Sequence, residues 1–141
     1  MSHLTCFKAY DIRGVVPDEL DEALAYRIAR AYATLFSPKR VAIGRDVRPS
    51  GTSLAAALTR GFVDAGEDVV DIGLCGTEEV YFATFHLKLD GGIMVTASHN
   101  PAGPDGDFGV KFNGPNGAPA AERLTNAIFE ESRRLEGYRI L

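Results

Sequence analysis

The chain has 141 residues, enough for one domain with a real core and too few for two comfortable ones. Hydrophobic residues make up 45% and charged residues 24%, and the net charge is −4, so the totals carry no electrostatic footprint for nucleic acid or an acidic membrane. No apolar run approaches the roughly 18 residues of a membrane span. The N-terminal MSHLTCFKAY lacks the apolar stretch of a signal peptide, and Cys6 and Cys75 form no metal-spaced pair, so the composition predicts a cytoplasmic protein without a structural disulfide.

Strand-like and helix-like patterns alternate along the chain, without repeats or low-complexity linkers. LTCFKAYDI, residues 4–12, reads as a first strand of imperfect alternation. Pro17, Asp18 and Glu19 predict the opening of a helix with acidic residues in its first turn. Leu20, Leu24, Ile28, Tyr32 and Phe36 follow at steps of four and draw one apolar stripe, and Pro38 stops the helix.

RVAIG, residues 40–44, reads as a buried strand. The polar RDVRPSGTS leads into a helix carrying Leu54, Leu58, Phe62 and Ala65, with Gly66 as its expected C-cap. DVVDIG is the next strand. Thr77 is the expected cap of a helix through EEVYFATFHL, whose aromatic residues form either core or an exposed patch for weak self-association. GGIMVTA, residues 91–97, is another strand, and FGVKFN, 108–113, is expected to join the sheet. Pro119 at the first helical position, then Leu124, Ile128 and Leu135, predict a last helix ending at Gly137. This alternation predicts a three-layer α/β/α fold with a mostly parallel or mixed sheet, formed as one domain over 1–141. In such sheets functional groups collect beyond the carboxyl ends of strands. The loops containing RPS, CGTEE and TASHNP all follow strands and would share one rim if those strands run parallel.

Chemistry-bearing residues concentrate in TASHNP, residues 96–101. A serine is a poor nucleophile without a base, an oxyanion site or a metal. No G-x-S-x-G elbow surrounds Ser98, and His99 on an extended backbone would point away from it, so adjacency makes no dyad. The bland alternative is a Ser/Asn turn closed by Pro101. Arg13, Arg45, Arg48 and Lys111 are cations in or beside the predicted strand ends, and Arg13 and Lys111 converging on Ser98 would make a phosphate pocket. The alternative for each is a solvated face. PDGDFG, 104–109, lacks the distal ligands of a calcium loop, and GPNGAP lacks the Lys-Ser/Thr ending of a nucleotide-binding loop.

Together these stretches resemble a known family. TASHNP at 96–101 resembles the phosphoserine loop of the α-D-phosphohexomutases, the phosphomannomutase and phosphoglucomutase superfamily. FKAYDIRG at 7–14, IGRDVRPSG at 43–51 and DIGLCGTEEVYFATFHL at 71–87 resemble its other N-terminal motifs, in the same order. The likeness covers essentially the whole chain but only the first, phosphoserine-bearing domain of a four-domain enzyme. The metal-binding aspartate loop, the sugar-recognition loop and the terminal phosphate-binding domain have no counterpart here. Up to Asn100 the sequence looks most like bacterial phosphomannomutases, and beyond it more like the phosphoglucomutase branch.

The resemblance implies an intramolecular phosphotransferase that interconverts hexose 1-phosphate and 6-phosphate through a phosphoserine and a 1,6-bisphosphate. It implies that Ser98 carries the phosphoryl group and supplies, through that phosphate, the one ligand of this chain to Mg2+. By position, His99 and Lys111 match residues that contact reacting groups, with Lys111 assigned to proton transfer or charge stabilisation. Tyr10 and Arg13 match residues near the phosphoserine, with Arg13 on the phosphate, and Asn100 is the remaining phosphate-binding candidate. The alternatives are a stand-alone, excised or engineered folding unit that keeps the site without turnover, and a small phosphate-ester binding module.

Overall fold

The computed structural model describes residues 4–8, 11–101 and 106–141. Nine elements follow in chain order: β1 (Ile12–Val15), α1 (Glu22–Phe36), β2 (Arg40–Arg45), α2 (Pro49–Val63), β3 (Asp68–Leu74), α3 (Thr77–His86), β4 (Gly91–Val95), β5 (Asp107–Asn113) and α4 (Glu122–Arg134). The strands form one sheet in the order β1-β5-β4-β2-β3. β2 pairs parallel with both β3 and β4, whereas β5 runs antiparallel to β4 and to β1. The sheet is therefore mixed, with β5 as the reversed strand. Arg45 lies level with Val95 on one side and Leu74 on the other, so the carboxyl ends of β2, β3 and β4 do share one rim.

The period-two alternation of the central strands divides the core. Val41, Ile43, Ile93, Val95, Val110 and Phe112 belong to the main apolar cluster, together with Ile28 and Tyr32 of α1, Leu54, Leu58 and Phe62 of α2, and Ile128 of α4. Fully burying one such leucine contributes about 1.5–3 kcal/mol. Gly61 lets α1 and α2 approach closely: a Cβ there would fall 2.7 Å from both Ala29 Cβ and the Tyr26 carbonyl oxygen. On the opposite face α3 packs on β2 and β4 through Val80 and Thr84, both fully buried. Phe82 and Phe85 of α3 are exposed, at 64% and 67%, so the aromatic run splits between core and surface. Cys6 and Cys75 are free, and burial pushes the Cys6 thiol up to about 11.

Three local expectations are corrected. The first strand is not 4–12 but Ile12–Val15, because the chain doubles back there: Phe7 bridges Ile12 antiparallel, and the ladder starts where β5 offers a partner. The first helix does not open at Pro17. Glu19 instead turns its carboxylate back to accept from the Val15 N–H at 3.0 Å and the Thr5 hydroxyl at 3.1 Å, and Asp21 is the true N-cap, accepting from Leu24 N–H at 2.7 Å. Pro119 pairs with Asn113 in a bridge, so the last helix begins at Glu122 and ends at Arg134. At the other boundaries the shifts are small: Gly76, not Thr77, is the N-cap of α3, and Asp64, not Gly66, is the C-cap of α2, with Gly66 (φ 90°) in the turn beyond.

Candidate active site

The site is built where β4 runs out. Thr96 prolongs the sheet by donating its N–H to the Gly109 carbonyl at 2.9 Å, and Ala97 is buried. At Ser98 the backbone swings into the left-handed region, with φ of 55°, which side-chain-bearing residues seldom adopt. Such a conformation persists only where neighbours over-determine it. Here the Ser98 N–H donates to Thr96 Oγ1 at 2.9 Å, and its carbonyl accepts from Arg48 Nη2 at 3.4 Å. The same guanidinium nitrogen donates to the Asn100 carbonyl at 2.8 Å, and Asn100 N–H closes the turn on the Ala97 carbonyl at 3.0 Å.

Both supports lead to one carboxylate. Asp46, just beyond β2, accepts through Oδ2 from the Thr96 hydroxyl at 2.8 Å, from Arg48 Nη1 at 2.6 Å and from the Ala97 N–H at 3.3 Å; its Oδ1 accepts the Arg48 backbone N–H at 2.9 Å. Burial pushes the Asp46 carboxyl up. The hydrogen bonds from Arg48, Thr96 and Ala97 together outweigh burial and hold the group below the ordinary aspartate value of 3.8.

The turn presents the Ser98 hydroxyl to two basic side chains. Lys111, on β5 opposite Met94, donates from Nζ to Ser98 Oγ at 3.2 Å. His99 Nδ1 lies 3.4 Å from the same oxygen, a long contact that the left-handed turn, unlike an extended backbone, makes available. Arg13 sits on β1 opposite Gly109 and pairs with Asp11, Nε to Oδ2 at 2.7 Å. Among the described residues it makes no hydrogen bond to Ser98. The Asn100 carboxamide donates to the Asp107 carbonyl at 3.3 Å and so ties the two ends of the loop. Tyr10 and the loop positions 102–105, including the first two residues of PDGDFG, lie outside the described residues.

Sequence reasoning singled out Ser98, His99 and Lys111, and the structure brings these three together. It missed the support formed by Asp46, Arg48 and Thr96. The signal was present in RDVR, where Asp46 separates two arginines, but nothing local says that this segment meets a loop 50 residues further on.

A hard divalent cation such as Mg2+ needs about six oxygen ligands. Among the described residues no three His, Cys, Asp or Glu side chains gather as a metal-binding group, and the Asp46 carboxylate is engaged by four donors. The described donor set does not fit a magnesium ion held by this chain alone.

Comparison with known proteins places this geometry. A family model described as phosphoglucomutase/phosphomannomutase, alpha/beta/alpha domain I, matches residues 5–139. Phosphomannomutases from Klebsiella pneumoniae and Escherichia coli are each 61% identical over 113 residues, 80% of this chain, and the match covers 72% and 25% of their respective lengths. Among solved structures, a putative phosphomannomutase from Thermus thermophilus superposes with a TM-score of 0.85 at 34% identity, covering 99% of this chain and 33% of that one. A phosphoglucomutase/phosphomannomutase family protein from Burkholderia thailandensis gives 0.83 at 36% identity, covering 95% and 31%. This chain thus spans about a quarter of the Escherichia coli relative and a third of the solved ones. With a family model matched from residue 5 to 139 and a shared fold at that level of identity, the chain belongs to the phosphoglucomutase/phosphomannomutase family, corresponding to its α/β/α domain I.

Proposed function

We propose that Ser98 is the phosphoryl-carrying residue of a hexose-phosphate mutase and that this chain is its phosphoserine domain. The observation that carries the reading is the Lys111 ammonium donating to Ser98 Oγ at 3.2 Å, on a residue held in the left-handed conformation at a strand end. In the first half-reaction the P–Oγ bond of phosphoserine breaks, a bond forms from phosphorus to the free hydroxyl oxygen of a hexose phosphate, and the proton that hydroxyl gives up is balanced by the one gained by Ser98 Oγ. The product is a 1,6-bisphosphate. After the sugar turns round, its other phosphoryl group passes to Ser98 Oγ and the opposite monophosphate leaves.

Each half-reaction puts negative charge on Oγ as it leaves or needs an electron-rich Oγ as it attacks. A fixed ammonium at Oγ lowers the cost of that charge, and catalysis of this kind rests on positioning and charge stabilisation. His99 Nδ1, 3.4 Å away, is placed to hydrogen-bond to Oγ or to an oxygen of its phosphate. Arg13 is assigned to the phosphate: its contact with Asp11 is made through Nε, and the guanidinium fork carries further N–H donors for an anion.

The metal and sugar loops implied by the resemblance have no counterpart in the chain, so alone it should show little or no steady mutase turnover. The test joins this chain to the remainder of the Escherichia coli phosphomannomutase that it matches and assays mannose and glucose 1-phosphates. Turnover lost in Ser98→Ala, and reduced at least about a hundredfold in Lys111→Met, is the expected result. Activity that survives Ser98→Ala in protein free of host mutase would overturn the reading.

A further inference from the structure

The left-handed turn at Ser98 is gripped on both sides, and each grip is anchored to the same carboxylate. On the amino side the path runs from Asp46 Oδ2 through the Thr96 hydroxyl, which donates to Asp46 and accepts from the Ser98 N–H. On the carbonyl side it runs from Asp46 through the Arg48 guanidinium to the oxygens of Ser98 and Asn100. Asp46 itself is fixed to the sheet by its own N–H, which donates to the Val95 carbonyl at 3.0 Å. Arg48 is fixed by its place as the N-cap residue of α2.

We propose that Asp46, acting through Thr96 and Arg48, is the positioning residue that sets the orientation of the Ser98 hydroxyl towards Lys111. The inference rests on the reading of Ser98 as phosphoryl carrier, and it adds a role for three residues whose described side-chain hydrogen bonds run to one another and to the loop backbone. The chemistry of the three types fits the task. A carboxylate is acceptor-only and receives four donors here, whereas an amide in its place would turn two N–H groups towards some of them. A threonine hydroxyl donates and accepts at once, so it can relay the carboxylate's position to a backbone N–H. An arginine fork can hold a carboxylate with one nitrogen and two carbonyls with another, which the single nitrogen of lysine cannot match.

The arrangement also explains how a residue with a side chain keeps a φ of 55° without glycine. Releasing either grip lets the backbone relax towards an extended conformation, which carries Oγ away from Nζ of Lys111. Lys111 lies on β5 and does not depend on Asp46 for its place.

The test compares Thr96→Val, Thr96→Ser and Asp46→Asn with the wild type in this chain, each variant first checked for an unchanged near-ultraviolet circular dichroism spectrum. The readout is amide hydrogen exchange by NMR at Ser98 and Ala97, referred to the β4 amides of Ile93 and Met94. Thr96→Val should speed exchange of the Ser98 amide at least about tenfold while the β4 amides stay within about twofold. Thr96→Ser, which keeps the hydroxyl, should restore slow exchange. Asp46→Asn should speed exchange at both Ala97 and Ser98. A Ser98 amide in Thr96→Val that exchanges within about twofold of the wild type would overturn the proposal, as would failure of Thr96→Ser to differ from Thr96→Val. Unchanged exchange at Ala97 and Ser98 in folded Asp46→Asn would overturn it as well, and if that variant does not fold, Asp46→Ser takes its place. The exchange measurement is independent of whether Ser98 carries phosphate, so its failure is separate from failure of the mutase reading, which the Ser98→Ala assay tests.

Discussion

The apolar layer between the sheet and helices α1 and α2 and the polar rim beyond β2 and β4 are held by different physics. In the layer, Leu54, Leu58 and Phe62 contribute by area removed from water, and many arrangements of similar volume would serve. At the rim, direction rather than area decides: one carboxylate, one hydroxyl and one guanidinium fix the backbone of one serine. The layer gives the domain its stability, and the rim uses that rigid platform to hold a local conformation that costs about 1–3 kcal/mol on its own.

Leu58→Asp should separate the two regions most sharply. Leu58 is fully buried in the main cluster, so the new carboxylate would lie unpaired in apolar surroundings. The expected loss is about 4 kcal/mol or more, enough to unfold the chain or lower its denaturation midpoint drastically. An unchanged midpoint would show that this helix face is not the source of stability. Asp46→Asn probes the rim instead. It removes the charge but keeps one acceptor oxygen, so the expected net loss is about 1.5–3 kcal/mol in all. Denaturation should show a smaller shift than for Leu58→Asp, with the β4 amides still protected. A loss equal to that of Leu58→Asp would make Asp46 a general structural residue.

The smallest effect is a local pH dependence. The folded-state value of Asp46 is depressed, so its contribution is complete above the unfolded value of 3.8 and is lost as pH falls through the lower folded value. The Ala97 and Ser98 amide shifts should therefore move together in an Asp46-dependent step below about pH 4. The same titration in Asp46→Asn should lack that acid step. A step that is lost in Asp46→Asn and centred above the ordinary carboxylate range would contradict the depressed value.

The two regions also differ in how far the sequence revealed them. The stripes on α1 and α2 and the runs at β2 and β4 were legible because period and burial are local properties of a segment. Where the first strand begins was not, since Ile12–Val15 is a strand only because β5 lies beside it. The acidic PDEL looked like a helix start, but Glu19 was closing a turn on Val15 and Thr5, a contact between sequence positions that no window spans. At the site, the motif residues Ser98, His99 and Lys111 were legible from the family resemblance. The support from Asp46 was not, because its acceptor geometry towards Thr96 exists only once β2 and β4 lie side by side.

The function proposed for this rim stands or falls on Ser98 as the carrier of a phosphoryl group. The decisive experiment is peptide mapping by mass spectrometry of the chain joined to the remainder of the Escherichia coli phosphomannomutase, isolated during turnover of a hexose 1-phosphate with its 1,6-bisphosphate. Phosphate is expected on the peptide containing Ser98, localised to that residue and absent in Ser98→Ala. Phosphate localised to another residue, or turnover by protein that never carries phosphate on Ser98, would contradict the assignment.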